Sequence, residues 1–187
     1  MNKTKFYTGK GDKGDTGRLG GETRLHKDSD LIRTIGTLDE ANAALGNARS
    51  LVQDTRIAAA LLQSQRCLYR LMSHLSAMPQ MRHEFPGLLE EDVAGLEETI
   101  GWLEGLVPQL KGFVVPGDSP AGAACHVART VVRRAERRLV AFADDESNVG
   151  PANLAFINRL SSFLFVAALR EDGIAGEEPT LAAPERT

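Results

Sequence analysis

Apolar residues recur every three or four positions along most of this chain, and nowhere do they alternate over the length of a strand. From about Asp30 to Ser50 the apolar positions are Leu31, Ile32, Ile35, Leu38, Ala41, Leu45 and Ala48, which predicts a first helix. A second runs from about Asp54 to Met78 on Ile57, Leu61, Leu62, Leu68, Leu71, Met72 and Leu75, and the 79–87 stretch, with a proline and a glycine at its ends, breaks it. A third, from about Leu88 to Leu106, carries Val93, Leu96, Ile100, Leu103 and Val107 on one side and stops at Pro108 and Gly112. The fourth spans Ser119 to about Phe142, with Val127, Thr130, Val131, Ala135 and Leu139 as its apolar stripe. The polar loop 144–148 separates it from a fifth, from Pro151 to about Arg170, which turns Leu154, Ile157, Leu160, Leu164, Phe165 and Ala168 inward.

Five helices of this length joined by short loops predict an all-α fold, a five-helix bundle of the up-down type. At 187 residues one compact core is expected, occupying residues 29–173. Residues 1–28, rich in glycine, lysine and threonine and without a helical period, form a separate amino-terminal segment. Residues 174–187, with Pro179 and Pro184, are expected to be a disordered tail.

Composition narrows the function more than the fold. A net charge of −3 argues against general nucleic-acid binding, so any basic site must be local. Cys67 and Cys125, far apart and inside helical segments, fit buried free thiols in a reducing compartment. The amino terminus has no apolar signal region, and no apolar stretch approaches the roughly 18 residues of a membrane span. A cytoplasmic protein without membrane or nucleic-acid partners is the expectation.

The basic residues of the fourth helix stand out. Arg129, Arg133 and Arg137 are four apart and stack along one stripe, with His126 a turn before them. Like charges at that spacing repel by a few tenths of a kcal/mol per pair, roughly, and Glu136 offsets only part of it. Such a row meets either solvent or a polyanion, and on the helix alone both readings stand. Pro116-Gly117-Asp118-Ser119-Pro120 supplies a turn, an N-cap serine and an N1 proline, so the start of this helix is closely specified.

Other candidates are weaker alone. Tyr7 to Gly17 alternates glycine with Lys, Asp and Thr, a composition that suits phosphate binding, although no Walker A string is present. Asp39 sits between Leu38 and Glu40 and either turns inward toward a cation or faces solvent. Asn158, mid-helix among apolar residues, suggests a hydrogen-bonding duty, catalytic or structural. No His has Glu three residues before it and no Cys/His cluster has zinc spacing, so no protein-held metal is expected. The acid pairs Glu90-Glu91 and Glu97-Glu98 read as a solvated face, and Trp102 as a core residue.

In order along the chain, TGKGDKGDTGRLGG followed by Lys27, then GTLDEANAALG (36–46), FVVPGDS (113–119), HVARTVVRRAERR (126–138) and NRLSSFLFVAA (158–168) resemble the PduO-type ATP:cob(I)alamin adenosyltransferases over nearly the whole chain except the tail. The resemblance implies a homotrimer with an active site at each subunit interface. There the amino terminus of one subunit, ordered on nucleotide, meets the fourth and fifth helices of the next. It implies transfer of the 5′-deoxyadenosyl group of ATP to the cobalt of cob(I)alamin, giving adenosylcobalamin, the coenzyme form of vitamin B12, and triphosphate. Mg²⁺ would be carried mainly by the ATP phosphates. A cob(II)alamin reductase and an adenosylcobalamin-dependent enzyme become possible partners.

By the same resemblance, Thr8, Lys10, Gly11, Lys13, Gly14, Thr16 and Lys27 line the triphosphate, and Arg133, Glu136, Arg137 and Asn158 continue that pocket. Asp39 and Arg129 match a pair that forms a salt bridge between subunits, and Phe113 matches a phenylalanine on the lower axial face of the corrinoid that excludes its base ligand. Asp118 stands where the family commonly has a small residue, Ser162 replaces a common acid, and one residue is inserted between Thr16 and Lys27. The competing reading is a non-catalytic helical carrier or regulator that binds nucleotide or corrinoid.

Overall fold

The computed structural model describes residues 6–145 and 149–183. Five long helices carry the fold: α1 (Asp30–Leu51), α2 (Thr55–Ser76), α3 (Glu90–Glu104), α4 (Pro120–Asp145) and α5 (Pro151–Ile174). α4 packs against both α1 and α5, α1 also against α2, and α3 against α5. Leu38, Leu45, Leu61, Leu68, Leu139, Leu160, Phe163 and Leu164 are among the large side chains fully removed from water where these helices meet. Burying each contributes about 1.5–3 kcal/mol against the chain entropy lost.

The helix starts follow local chemistry. Asp54 caps α2 by accepting from Arg56 N at 2.9 Å and Ile57 N at 3.4 Å. Ser119 caps α4 through its Oγ, which accepts from Gly122 N at 2.9 Å, and Pro120 follows as the first helical residue. The α1–α2 turn is secured from a distance. Buried Glu171 on α5 accepts from Gln53 N at 2.8 Å and Asp54 N at 3.0 Å, so its charge is hydrogen-bonded where water is excluded.

Several details depart from the sequence expectations. On α4 the buried stripe is Ala124, Cys125, Ala128, Val132, Ala135, Leu139 and Phe142, whereas Val127 is 57% exposed. Ala135 and Leu139 are buried as expected, while the first half of the stripe lies one position over, at Ala128 and Val132, because α4 is wedged between two helices and its alanines let both approach closely. Phe163, which the periodicity did not single out, is fully buried on α5, while Phe165 is only partly so. By length and composition α5 could cross a membrane, yet 67% of that window is buried inside the bundle, the mark of a core helix.

Two segments outside the bundle also have defined structure. Asp15–Gly17 (β1) pairs antiparallel with Arg24–His26 (β2), a short hairpin where no strand was expected. It docks on the end of α2: Met78 N donates to Leu19 O at 3.0 Å, and Arg18 donates to the carbonyls of Ser76 and Ala77. At the other end, of the tail expected over 174–187, residues 184–187 lie outside the described residues, and 180–182 have backbone partners. They run beside 113–115, with Val114 bridged to Leu181. Only a partner more than sixty residues away in sequence reveals that order, so composition could not.

Candidate functional site

The arginines of α4 divide into two rows with different fates. Arg134 pairs with Glu40, and Arg138 pairs with Asp30 at 2.6 Å, both across to α1. Arg129, Arg133 and Arg137, one position off that face, have no hydrogen-bonding or acidic partner among the described residues. Arg129 carries the heavier penalty, because its Nε is buried and unpaired. Burial, and then the neighbouring Arg133, pull its pKa down from 12.5, so the guanidinium is held charged in a place that disfavours charge. Such a group calls for an acid that the described residues do not supply.

Glu136 and Asn158 border that row. Asn158 Nδ2 donates to Glu136 Oε1 at 2.8 Å, and Asn158 Oδ1 accepts from Arg159 at 2.8 Å. The mid-helix asparagine thus has a polar duty, on an exposed face and not within the core. His126, a turn before the row, is buried with its ring edge against Phe165 and its Nδ1 unpaired. Asp39 faces outward from α1, and no ion pair joins it to Arg129 within the described chain.

The amino-terminal residues form a second cluster. Gly14 N donates to Gly11 O at 3.2 Å, and Lys27 N donates to Gly14 O at 2.8 Å, which brings Lys27 beside the glycine loop. A Cβ on Gly11 would sit 3.1 Å from Lys27 Nζ, so glycine is what lets the ammonium lie over the backbone there. Gly14, at φ 82°, occupies the left-handed region that a side chain would strain. Thr16 lies in β1 opposite Leu25, and Thr8 Oγ1 accepts from Lys10 N at 3.3 Å. The loop is braced by Arg24, which reaches both Asp15 oxygens at 2.8 and 2.9 Å and Lys10 O at 2.8 Å. That pairing holds the Asp15 carboxyl below its ordinary pKa. The sequence did not mark Arg24, since a lone arginine in a polar loop carries no pattern.

No hydrogen bond or ion pair among the described residues joins Thr8, Lys10, Lys13 or Lys27 to Arg129, Arg133 or Arg137. Phe113 is a third element, 89% exposed in the loop ahead of α4. Each chain therefore presents a basic glycine loop, an unpaired arginine row and a bare aromatic ring, all facing outward.

Nucleophilic side chains do not account for the site. Burial, then Glu171 and Asp172, push the Cys125 thiol up to about 12, and burial followed by Asp92 pushes Cys67 up to about 11, so neither is a thiolate near neutrality. Among the described residues no group of three or more His, Cys, Asp or Glu side chains could hold a metal ion. The chemistry available is positioning and neutralisation of an anion by fixed cations.

The family described as cobalamin adenosyltransferase matches residues 6–171. A corrinoid adenosyltransferase of Bacillus subtilis is 38% identical over 168 residues, which cover 88% of this chain and 84% of that protein. One from Mycobacterium tuberculosis is 39% identical over 172 residues, covering 87% of this chain and 86% of its own. Among solved structures, a variant PduO-type ATP:corrinoid adenosyltransferase from Lactobacillus reuteri, complexed with cobalamin and ATP, matches with a TM-score of 0.88 at 32% identity, covering 97% of this chain and 98% of that one.

Proposed function

The chain belongs to the cobalamin adenosyltransferase family, and from that premise we propose that it transfers the 5′-deoxyadenosyl group of ATP to the cobalt of cob(I)alamin. In the reaction Co(I) attacks C5′ in line, a cobalt–carbon bond forms, the C5′–oxygen bond breaks, and triphosphate leaves with the electron pair. The substrate supplies the nucleophile, so the protein needs no general base, and the buried, protonated thiols fit that.

The observation that carries this reading is the pair Arg133 and Arg137, left without acids among the described residues while their neighbours Arg134 and Arg138 are paired. Fixed cations with no acid to neutralise them match a leaving group that gains charge as it departs. We assign the triphosphate to Arg133, Arg137, Glu136 and Asn158 together with Thr8, Lys10, Gly11, Lys13, Gly14, Thr16 and Lys27. Mg²⁺ would ride on the phosphates and neutralise them further. The unpaired Nε of Arg129 and the outward-facing Asp39 support a contact between subunits, and we propose the homotrimer on that ground and on the family resemblance. Arg129, with its orphaned Nε, then pairs with Asp39 of a neighbour. Phe113 covers the lower face of the corrinoid, where an apolar ring in place of a base ligand makes cobalt easier to reduce. A reductase that delivers Co(I) and an enzyme that uses adenosylcobalamin are the partners this chemistry requires. Two buried free cysteines fit a cytoplasmic setting.

The test is an anaerobic assay with chemically reduced cob(I)alamin and Mg-ATP, following cobalamin absorbance and triphosphate together. Equimolar adenosylcobalamin and triphosphate are expected. ATP bound without turnover would instead favour a carrier.

A further inference from the structure

The loop that carries Phe113 is held by residues beyond the last helix. Val115 N donates to Thr180 O at 2.7 Å and Ala182 N donates to Phe113 O at 2.7 Å, so the arm after α5 lies antiparallel to 113–115. A side chain closes the ladder. Asp118 Oδ2 accepts from Thr180 N at 3.0 Å, and Asp118 Oδ1 accepts from Thr180 Oγ1 at 2.7 Å. One threonine thus occupies both oxygens of one carboxylate, a charge-assisted pair of bonds with fixed geometry. Gly117, at φ 130°, makes the turn that brings Asp118 round to face the arm.

The neighbouring contacts anchor the arm at its root. Ser119 Oγ donates to buried Asp172 at 2.6 Å, and Glu177 N donates to Asp172 O at 3.0 Å. With Leu110 and Leu169, the arm residues Pro179 and Leu181 line an open cavity of about 450 Å³. Phe113 thus has a hydrogen-bonded backbone and a ring that stands 89% exposed.

We propose that the arm, through the Thr180–Asp118 clamp, is a positioning element for Phe113 and sets how firmly its ring is presented to the lower face of the corrinoid. The proposal rests on the adenosyltransferase reading. Neither Asp118 nor Thr180 touches substrate in this scheme, and both act through the backbone of the 113–118 loop.

Three variants of the full chain test it. Asp118→Ala removes both side-chain bonds, Thr180→Val removes only the hydroxyl bond, and Thr180→Ser keeps both. The readouts are KM for ATP, KM for the corrinoid, turnover from cob(II)alamin with a reductant, and the visible spectrum of bound cob(II)alamin, which reports whether its base ligand is displaced. In Asp118→Ala the KM for ATP should stay within about twofold of the wild type. Turnover from cob(II)alamin should fall about tenfold, with a smaller base-displaced fraction, since one rotatable ring then samples several positions. Thr180→Val should fall between, and Thr180→Ser should match the wild type. A wild-type spectrum and turnover in Asp118→Ala overturn the clamp alone. A wild-type protein that makes no adenosylcobalamin overturns the clamp and the reading beneath it. Should Asp118→Ala melt early, Thr180→Val decides the matter, because it leaves the backbone ladder in place.

Discussion

Asn158 on α5 and Glu136 on α4 are joined at 2.8 Å, beside the unpaired Arg133 and Arg137. The bond lies on the surface, where it adds little to folding, so its service is to aim the carboxylate. Asn158→Ala frees Glu136 to swing onto the arginines it borders. The expected effect is a loss of about 1.5 kcal/mol in ATP binding, roughly tenfold in KM, with the melting temperature nearly unchanged. An unaltered KM for ATP would remove Asn158 from the triphosphate pocket.

Arg133 and Arg134 are adjacent yet should fail differently. Arg133 has no partner in the described chain, whereas Arg134 binds Glu40 across to α1. Arg133→Ala should weaken ATP use by about 1.5–3 kcal/mol and leave stability intact or slightly raised, as a like-charge neighbour is lost. Arg134→Ala should lower stability by at most about 1 kcal/mol, since its ion pair is solvent-exposed, and leave the KM for ATP alone. Steady-state kinetics beside thermal melts of both variants separate the two roles.

The proposed subunit bridge makes its own demand. Asp39→Ala and Arg129→Ala should each weaken association, and the double variant should be no worse than either, with a coupling of about 0.5–3 kcal/mol. Sedimentation over a range of protein concentrations gives the numbers. Additive losses would mean that the two side chains do not meet.

His126 predicts a pH dependence. Burial first, and then Arg129, hold its pKa below the ordinary 6.5, while Asp172 and Asp118 oppose that more weakly. Because the folded value lies under the unfolded one, the unfolded chain takes up the proton first as pH falls. Stability from this group is therefore full above about 6.5 and is lost as pH drops from there through the folded value. Melting temperatures from about pH 7 down to about pH 5 should fall more steeply for the wild type than for His126→Leu, which keeps an apolar contact to Phe165 but cannot protonate. Parallel curves would show that another group governs this range.

The five helices were legible because a 3.6-residue period over twenty positions is a strong local signal, and the ends were marked by Asp54, Ser119 and Pro151. The arginine row was legible as a stripe, but not its division from Arg134 and Arg138, which depends on where α1 places Glu40 and Asp30. The exposed Val127 and buried Val132 show the limit of periodicity on a helix flanked on two sides, where a shift of one position keeps the period. Arg24 and the Asp118–Thr180 clamp were invisible for a different reason. Each joins polar residues in irregular backbone, and neither spacing nor composition carries such a pairing. Asp118 stood out only as an unusual residue at its position, with no purpose attached.

The clamp joins residues 62 positions apart, and all of α4 and α5 lies between them. Closing so long a loop loses entropy that two surface hydrogen bonds do not recover alone, so the closure waits until both helices have docked. Phe113 should therefore be fixed in place last. The last part of the loop to set is the part that carries the exposed ring, and amide exchange at Val115 and Ala182 should become slow after that of the helix cores.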